Sequence, residues 1–309
     1  LNGSIGKAMK KISKYEITAI EQAGEWGKEP QPENASLWQK IKNPFAKTGA
    51  LIHKIPGFDR AVEKTFDALM DFFSRDIDKS MLNEGVYHHY RTSGFPMVRG
   101  AVDIEELSLE DIDQVVGQVC GKYQALVKAM PEDGQPTEAL QTAPTDIVAL
   151  IGTNHQAILE YAAYYGFDIT SRHERIFALN ILEYAATTNE QTKIAVLKRL
   201  VKQIKEIAHT PAKSPIDKPT FMDVLKTMTN SLTIHLMKAK IGQNIPIQGA
   251  VIGTGFNAYF TGEVCDVASF LYKQKFLAKK YGQLYLDILP ETSLTSEPEE
   301  EQENPDLLT

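Results

Sequence analysis

Apolar residues recur at three- and four-residue steps along most of the chain, and the clearest run opens at Phe58. Phe58, Val62, Phe66, Leu69, Met70, Phe73 and Ile77 alternate with Asp59, Arg60, Glu63, Lys64, Asp67, Arg75 and Asp76. This is the pattern of an amphipathic helix with one buried face. Upstream, Gly6 to Gly27 reads as one helix. Pro30, Pro32, Pro44 and Pro56 then break the chain into a strap through Trp38 and Phe45, because proline lacks an amide hydrogen and biases its predecessor away from helix. Ser108, followed by Glu110 and Asp111, has the signature of an N-cap, and the helix it starts would run to Met130. Three prolines and a glycine between Pro131 and Pro144 predict a loop, with Asp146 opening a helix that Gly166 terminates.

Ser171 to Thr187, Glu190 to His209, Phe221 to Lys240 and Gln248 to Tyr281 complete the set of predicted helices. No alternating strand pattern longer than a few residues and no repeat interrupts them. The fold class is therefore all-α: a multi-helix domain over 57–289, preceded by the helix and strap of 1–56 and followed by an acidic tail over 290–309.

Composition changes this picture only at the C-terminus. The 43% apolar and 24% charged residues are those of an ordinary globular chain. The formal charge of -7 is held by the tail from Glu291 onward, which has seven acidic residues and no Lys or Arg. The body is electrically balanced, so its charge names no partner, and the absence of net positive charge argues against nucleic acid. Cys120 and Cys265 lack CxxC spacing and a neighbouring His, and read as two free thiols among apolar residues rather than a disulfide.

Three stretches resemble the EcsC family. Glu16, Ala19, Ile20, Glu25, Trp26 and Pro30 are similar to the opening of its domains. Tyr164 to Leu182 (YYGFDITSRHERIFALNIL) resembles its turn and following helix. Ile245 to Gly282 (IPIQGAVIGTGFNAYFTGEVCDVASFLYKQKFLAKKYG) resembles its C-terminal signature. The resemblance implies a bacterial accessory protein, neighbour of an ABC transporter, on the cytoplasmic side of the cell membrane, with no established reaction and no cofactor. One segment departs from the pattern. Met130 to Asp146 is polar and proline-broken where relatives are apolar, which argues against membrane insertion there.

Ile241 to Gly262 carries no charge over 22 residues, long enough to span a bilayer. Its amides, threonines, proline and glycines leave too little apolar transfer energy for a span. Gly249, Gly253 and Asn257 instead share one helical face, where missing side chains let another helix approach. Three readings follow: a tightly packed helix; a pocket bordered by Gly249, Gly253 and Asn257 that takes a small molecule or lipid or serves a hydrolase of unrecognised type; or a stretch that re-enters the membrane. Asp266 on the same helix and Asp146 at a helix start are the acids that such a pocket could use, with helix capping as the plain alternative for Asp146 and Asp168.

Lys193, Lys198, Arg199, Lys202 and Lys205 stand beside an apolar stripe of Ile194, Leu197, Val201 and Ile204. Such a basic amphipathic helix can rest on anionic lipid or form a solvated outer face. Lys273, Lys275, Lys279 and Lys280 form a second basic cluster. His88 and His89 diverge, His155 and Glu160 are poorly spaced for one metal, and His173 and Glu174 read as turn residues. With no hydrolase, P-loop or zinc motif present, no catalytic residue and no metal ligand is assigned.

Overall fold

The computed structural model describes residues 12–23, 56–75, 80–130, 136–187, 190–209, 215–243 and 256–290. Among these the protein is all-α, with no strand. The helices are α1 (Lys14–Gln22), α2 (Phe58–Ser74), α3 (Ser80–Thr92), α4 (Ala101–Glu105), α5 (Leu109–Val116) and α6 (Val119–Lys128). They continue with α7 (Pro136–Tyr164), α8 (Arg172–Ala186), α9 (Glu190–His209), α10 (Lys218–Gln243), α11 (Phe256–Tyr281) and α12 (Gln283–Ile288).

Three helices make the centre. α7 packs on α2, α3, α5, α6, α8, α10 and α11. α8 is buried almost all round, from Glu174 to Ala186, and touches α7, α9, α10 and α11. A helix enclosed on every side must come from a sequence with little polar face, and Phe177 to Leu182 with Tyr184 to Ala186 supplies that. α11 completes the triangle, with α6, α9, α1 and α12 laid around it, while α2 and α10 cover the opposite side of α7. Among the described residues, no helix is long and apolar enough to cross a membrane.

Local chemistry sets the ends of these helices. Ser13 and Ser108 each close a capping box, with Glu16 and Asp111 returning the bond to the cap amide. Gly166 ends α7 at a φ of 74°, where the Gly166 amide donates to Ala163 O at 3.1 Å and the Phe167 amide to Ala162 O at 2.9 Å. This is a complete Schellman turn, as the glycine predicted. A Cβ on Gly166 would lie 3.0 Å from Ala101 O, so the same glycine lets the loop before α8 pass close to α4.

Several boundaries differ from the sequence expectation. α1 begins at Lys14 because Ser13 is extended and acts as its cap, so the helix does not run unbroken from Gly6. The stretch expected as one helix from Ser108 to Met130 turns at Gly117 and Gln118 and becomes α5 and α6. α7 starts at Pro136, and Pro144 lies inside it, so Asp146 is a mid-helix residue and not a cap. Pro144 lies more than two turns into α7, so it removes one interior amide-to-carbonyl bond, and the five turns that follow it anchor the helix despite that loss. On α2 the buried face is Phe58, Ala61, Thr65, Leu69 and Phe73, while Val62 and Phe66 are half-buried. Thr65 fits the core because its hydroxyl donates to Ala61 O at 2.8 Å. The strap through Trp38 and Phe45, and the acidic tail, lie outside the described residues.

Candidate functional site

The most informative constellation lies along the C-terminal half of α11. Lys273, Lys275, Lys279 and Lys280 do not form a free basic surface; each reaches a carboxylate on a different helix. Lys273 Nζ is 2.7 Å from Asp113 on α5, and Lys280 Nζ is 3.2 Å from Glu16 on α1. Lys275 Nζ is 2.5 Å from Glu174 on α8, and Lys279 Nζ is 2.5 Å from Glu105 on α4. Helical spacing explains the division. Residues seven apart return to the same face, so Lys273 and Lys280 point toward α5 and α1; Lys275 and Lys279, four apart, share another face toward α8 and α4.

Lys275 and Glu174 are the deepest of these pairs, at 4% and 5% exposure. Glu174 also accepts the Tyr272 hydroxyl at 2.7 Å. The ammonium sits 4.1 Å from the Phe177 ring centre and 4.4 Å from that of Phe167. Burying two charges is costly unless pairing and further hydrogen bonds compensate, and here both are present. Glu174, expected as a helix-opening turn residue, is instead the internal anchor of α8 to α11. Beside it, Arg175 donates to the carbonyls of Phe73 and Arg75 and lies over the Phe221 ring at 4.8 Å, tying α8 to the end of α2.

Glu16 closes the N-terminal helix onto the same element. It accepts the Tyr281 hydroxyl at 2.7 Å, the Ser13 amide at 3.1 Å, the Leu109 amide at 3.3 Å and Lys280 Nζ. Burial alone would raise its pKa, but the bonds from Tyr281 and Ser13 and the Lys280 charge outweigh it and hold the carboxyl below its ordinary value. Asp113 gathers the Tyr15 hydroxyl at 2.6 Å and the Tyr165 hydroxyl at 2.9 Å in addition to Lys273. The Tyr15 phenol is pushed up to about 12, first by that hydrogen bond.

Two further buried glutamates repeat the device. Glu183 on α8 pairs with Arg199 on α9 and accepts the Ser231 hydroxyl of α10 at 2.9 Å. Glu160 on α7 accepts Lys122 Nζ and the Tyr123 hydroxyl of α6, both at 2.6 Å. One turn along α7, the Tyr164 hydroxyl meets His89 Nδ1 at 2.6 Å, and Gln118 contacts the same imidazole. His155 and Glu160 serve separate neighbourhoods, since His155 packs edge-on against Phe72 and Phe73. Burial, helped by the Arg175 charge, lowers the His155 imidazole to about 3. Among the described residues, no group of His, Cys, Asp or Glu is arranged to hold a metal ion.

The residues singled out in the sequence are dispersed. Asn257 is buried in the first turn of α11, Asp266 is exposed two turns further on, and Asp146 is half-buried on α7. The Asp266 carboxyl is raised by its crowded surroundings and by Glu263. Gly249 and Gly253 lie outside the described residues. Gly262, at the end of the uncharged stretch, faces α6, where a Cβ would meet Gln124 Nε2 at 2.8 Å. A cavity that admits about one water lies elsewhere, between Ala23 of the N-terminal segment, Val201 and Lys205 of α9, Gln274 of α11 and Tyr285 of α12.

On α9 the apolar stripe of Leu197, Leu200, Val201 and Ile204 is spent on α8 and α11, and Ile194 is 48% exposed rather than part of it. Lys193 covers the Tyr184 ring at 4.7 Å, Arg199 is paired, and Lys205 is half-buried with its pKa lowered by desolvation. Lys198 and Lys202, one turn apart, face solvent.

Searches of curated proteins and of solved structures returned no match to this chain. The sequence profile of the EcsC protein family matches residues 17–277, from within α1 to the basic end of α11, and the chain belongs to that family.

Proposed function

We propose that this protein is a non-enzymatic accessory factor of a bacterial ABC transporter or secretion system, held at the cytoplasmic face of the membrane by charge rather than by insertion. The observation that carries this reading is the outer face of α9. Its apolar stripe is committed to the core, while Lys198 and Lys202 project one turn apart with Ile194 beside them. A helix in this state can be drawn to anionic lipid or to an acidic membrane partner, but has no apolar face left to embed. The α11 lysines supply no second basic surface, because their charge is used internally. The buried carboxylates support a scaffolding role for the same reason: Glu16, Glu160, Glu174 and Glu183 each hold a cation from another helix.

Flotation with phosphatidylglycerol vesicles tests the reading. Binding that falls steeply with salt and is absent on phosphatidylcholine supports it; the same binding to both vesicle types would point to apolar insertion instead.

A further inference from the structure

Lys205 of α9 differs from the lysines of α11. Lys273, Lys275, Lys279 and Lys280 each meet a carboxylate, whereas Lys205 is half-buried and meets none among the described residues. Burial lowers its pKa, and no acid offsets that effect. An ammonium partly withdrawn from water without a counter-charge favours the arrival of an anion.

The surroundings of Lys205 limit what that anion can be. Lys205 lines the cavity that lies between α9, α11, α12 and Ala23, the residue that follows α1. Of the described lining residues, only Lys205 and Phe270 are half-buried while the others are enclosed, so the mouth lies between these two. Val201, Ile204 and Leu289 give the interior apolar walls. Its two neutral polar side chains are committed elsewhere: Gln274 Nε2 donates to Ala19 O at 2.8 Å, and Gln274 Oε1 accepts the Tyr285 hydroxyl at 3.2 Å. Among the described lining residues Lys205 alone is charged.

The enclosed space admits about one water. A water there would find few of the polar partners it needs, and a methyl group of similar width needs none. We propose that this cavity binds a short, unbranched aliphatic monocarboxylate of the size of propionate, with its carboxylate on the Lys205 ammonium at the mouth and its methyl end inside. The bound molecule would tie α9 to α11 and α12 and supply the counter-charge that Lys205 lacks. This site does not rest on the membrane reading, since flotation depends on Lys198 and Lys202 and carboxylate binding on Lys205.

The test titrates the full isotope-labelled chain with sodium propionate and follows its amide resonances by NMR, with acetate, pivalate and propionamide compared at equal ionic strength. Propionate should give saturable shifts. Acetate should bind about fourfold more weakly, the factor carried by one buried methylene. Pivalate, too broad to enter, and propionamide, which has no charge, should each bind at least about tenfold more weakly. Lys205→Met should lose propionate binding, and so should Val201→Leu, which narrows the cavity and leaves the charge in place; thermal unfolding checks that both variants are folded. No saturable response to propionate, an equal response to pivalate, or a folded Lys205→Met chain that binds propionate as the wild type does would overturn the proposal.

Discussion

Lys275 Nζ lies 2.7 and 2.5 Å from the two carboxylate oxygens of Glu174, across an interface that joins residues 101 positions apart. Because both charges are almost fully enclosed, removing one strands the other. Lys275→Met or Glu174→Gln alone is expected to cost about 3–5 kcal/mol of stability. Replacing both, as Lys275→Met with Glu174→Leu, should recover most of that loss, since two well-packed apolar groups can substitute for a buried pair. Urea unfolding of the two single variants and the double variant measures the coupling; additive losses would show that the pair does not act as a unit.

Gly166 and Gly262 should respond in opposite ways to alanine. At Gly166 the left-handed backbone and the Ala101 carbonyl 3.0 Å from any Cβ both oppose a side chain, giving a loss of at least ~1–2 kcal/mol. At Gly262 the obstacle is the tip of Gln124, which can swing aside, and alanine gains helix propensity of about 1 kcal/mol. Gly262→Ala is therefore expected to be neutral or stabilising in thermal unfolding. A loss as large as that of Gly166→Ala would mean that α6 and α11 tolerate no widening.

Acid should destabilise the fold through His155. In the unfolded chain the imidazole titrates near ~6.5. Above that pH it is neutral in both states and contributes no pH dependence. Below it the unfolded chain binds a proton that the buried ring refuses until about pH 3. Stability then falls by about 1.4 kcal/mol per pH unit across this window. Glu16, held below its ordinary value, adds loss of the same sign as its carboxylate is protonated. His155→Phe should flatten the slope of unfolding free energy against pH between ~6 and ~4 by about one proton, and parallel wild-type and variant curves would refute this.

What the sequence revealed followed from local chemistry. The all-α class, the caps at Ser108 and Gly166, and the extents of α8 and α9 depend on spacing and on residues within one turn, and each is where the pattern places it. The break at Gly117 and the passage of α7 through Pro144 depend on what packs around them, and propensity alone misplaces both. The ion-pair ladder was invisible for a related reason. Lys273, Lys275, Lys279 and Lys280 appear in the sequence as a run of cations without nearby acids, because Asp113, Glu174, Glu105 and Glu16 arrive from four other helices. Thr65 escaped notice in the α2 stripe because a polar residue that bonds its own backbone can occupy a core position.

The central functional claim is that attraction to the membrane is electrostatic and resides on the outer face of α9. Each basic residue close to an anionic surface contributes about 1 kcal/mol, so reversing two should weaken partitioning by at least ~30-fold. The direct measurement is co-flotation of the wild-type chain and of the Lys198→Glu, Lys202→Glu double variant with phosphatidylglycerol vesicles at low salt, with circular dichroism confirming equal helicity. The account predicts that the wild type floats and the double variant stays in the load fraction. A wild type that does not float, or a folded double variant that floats equally well, would contradict it.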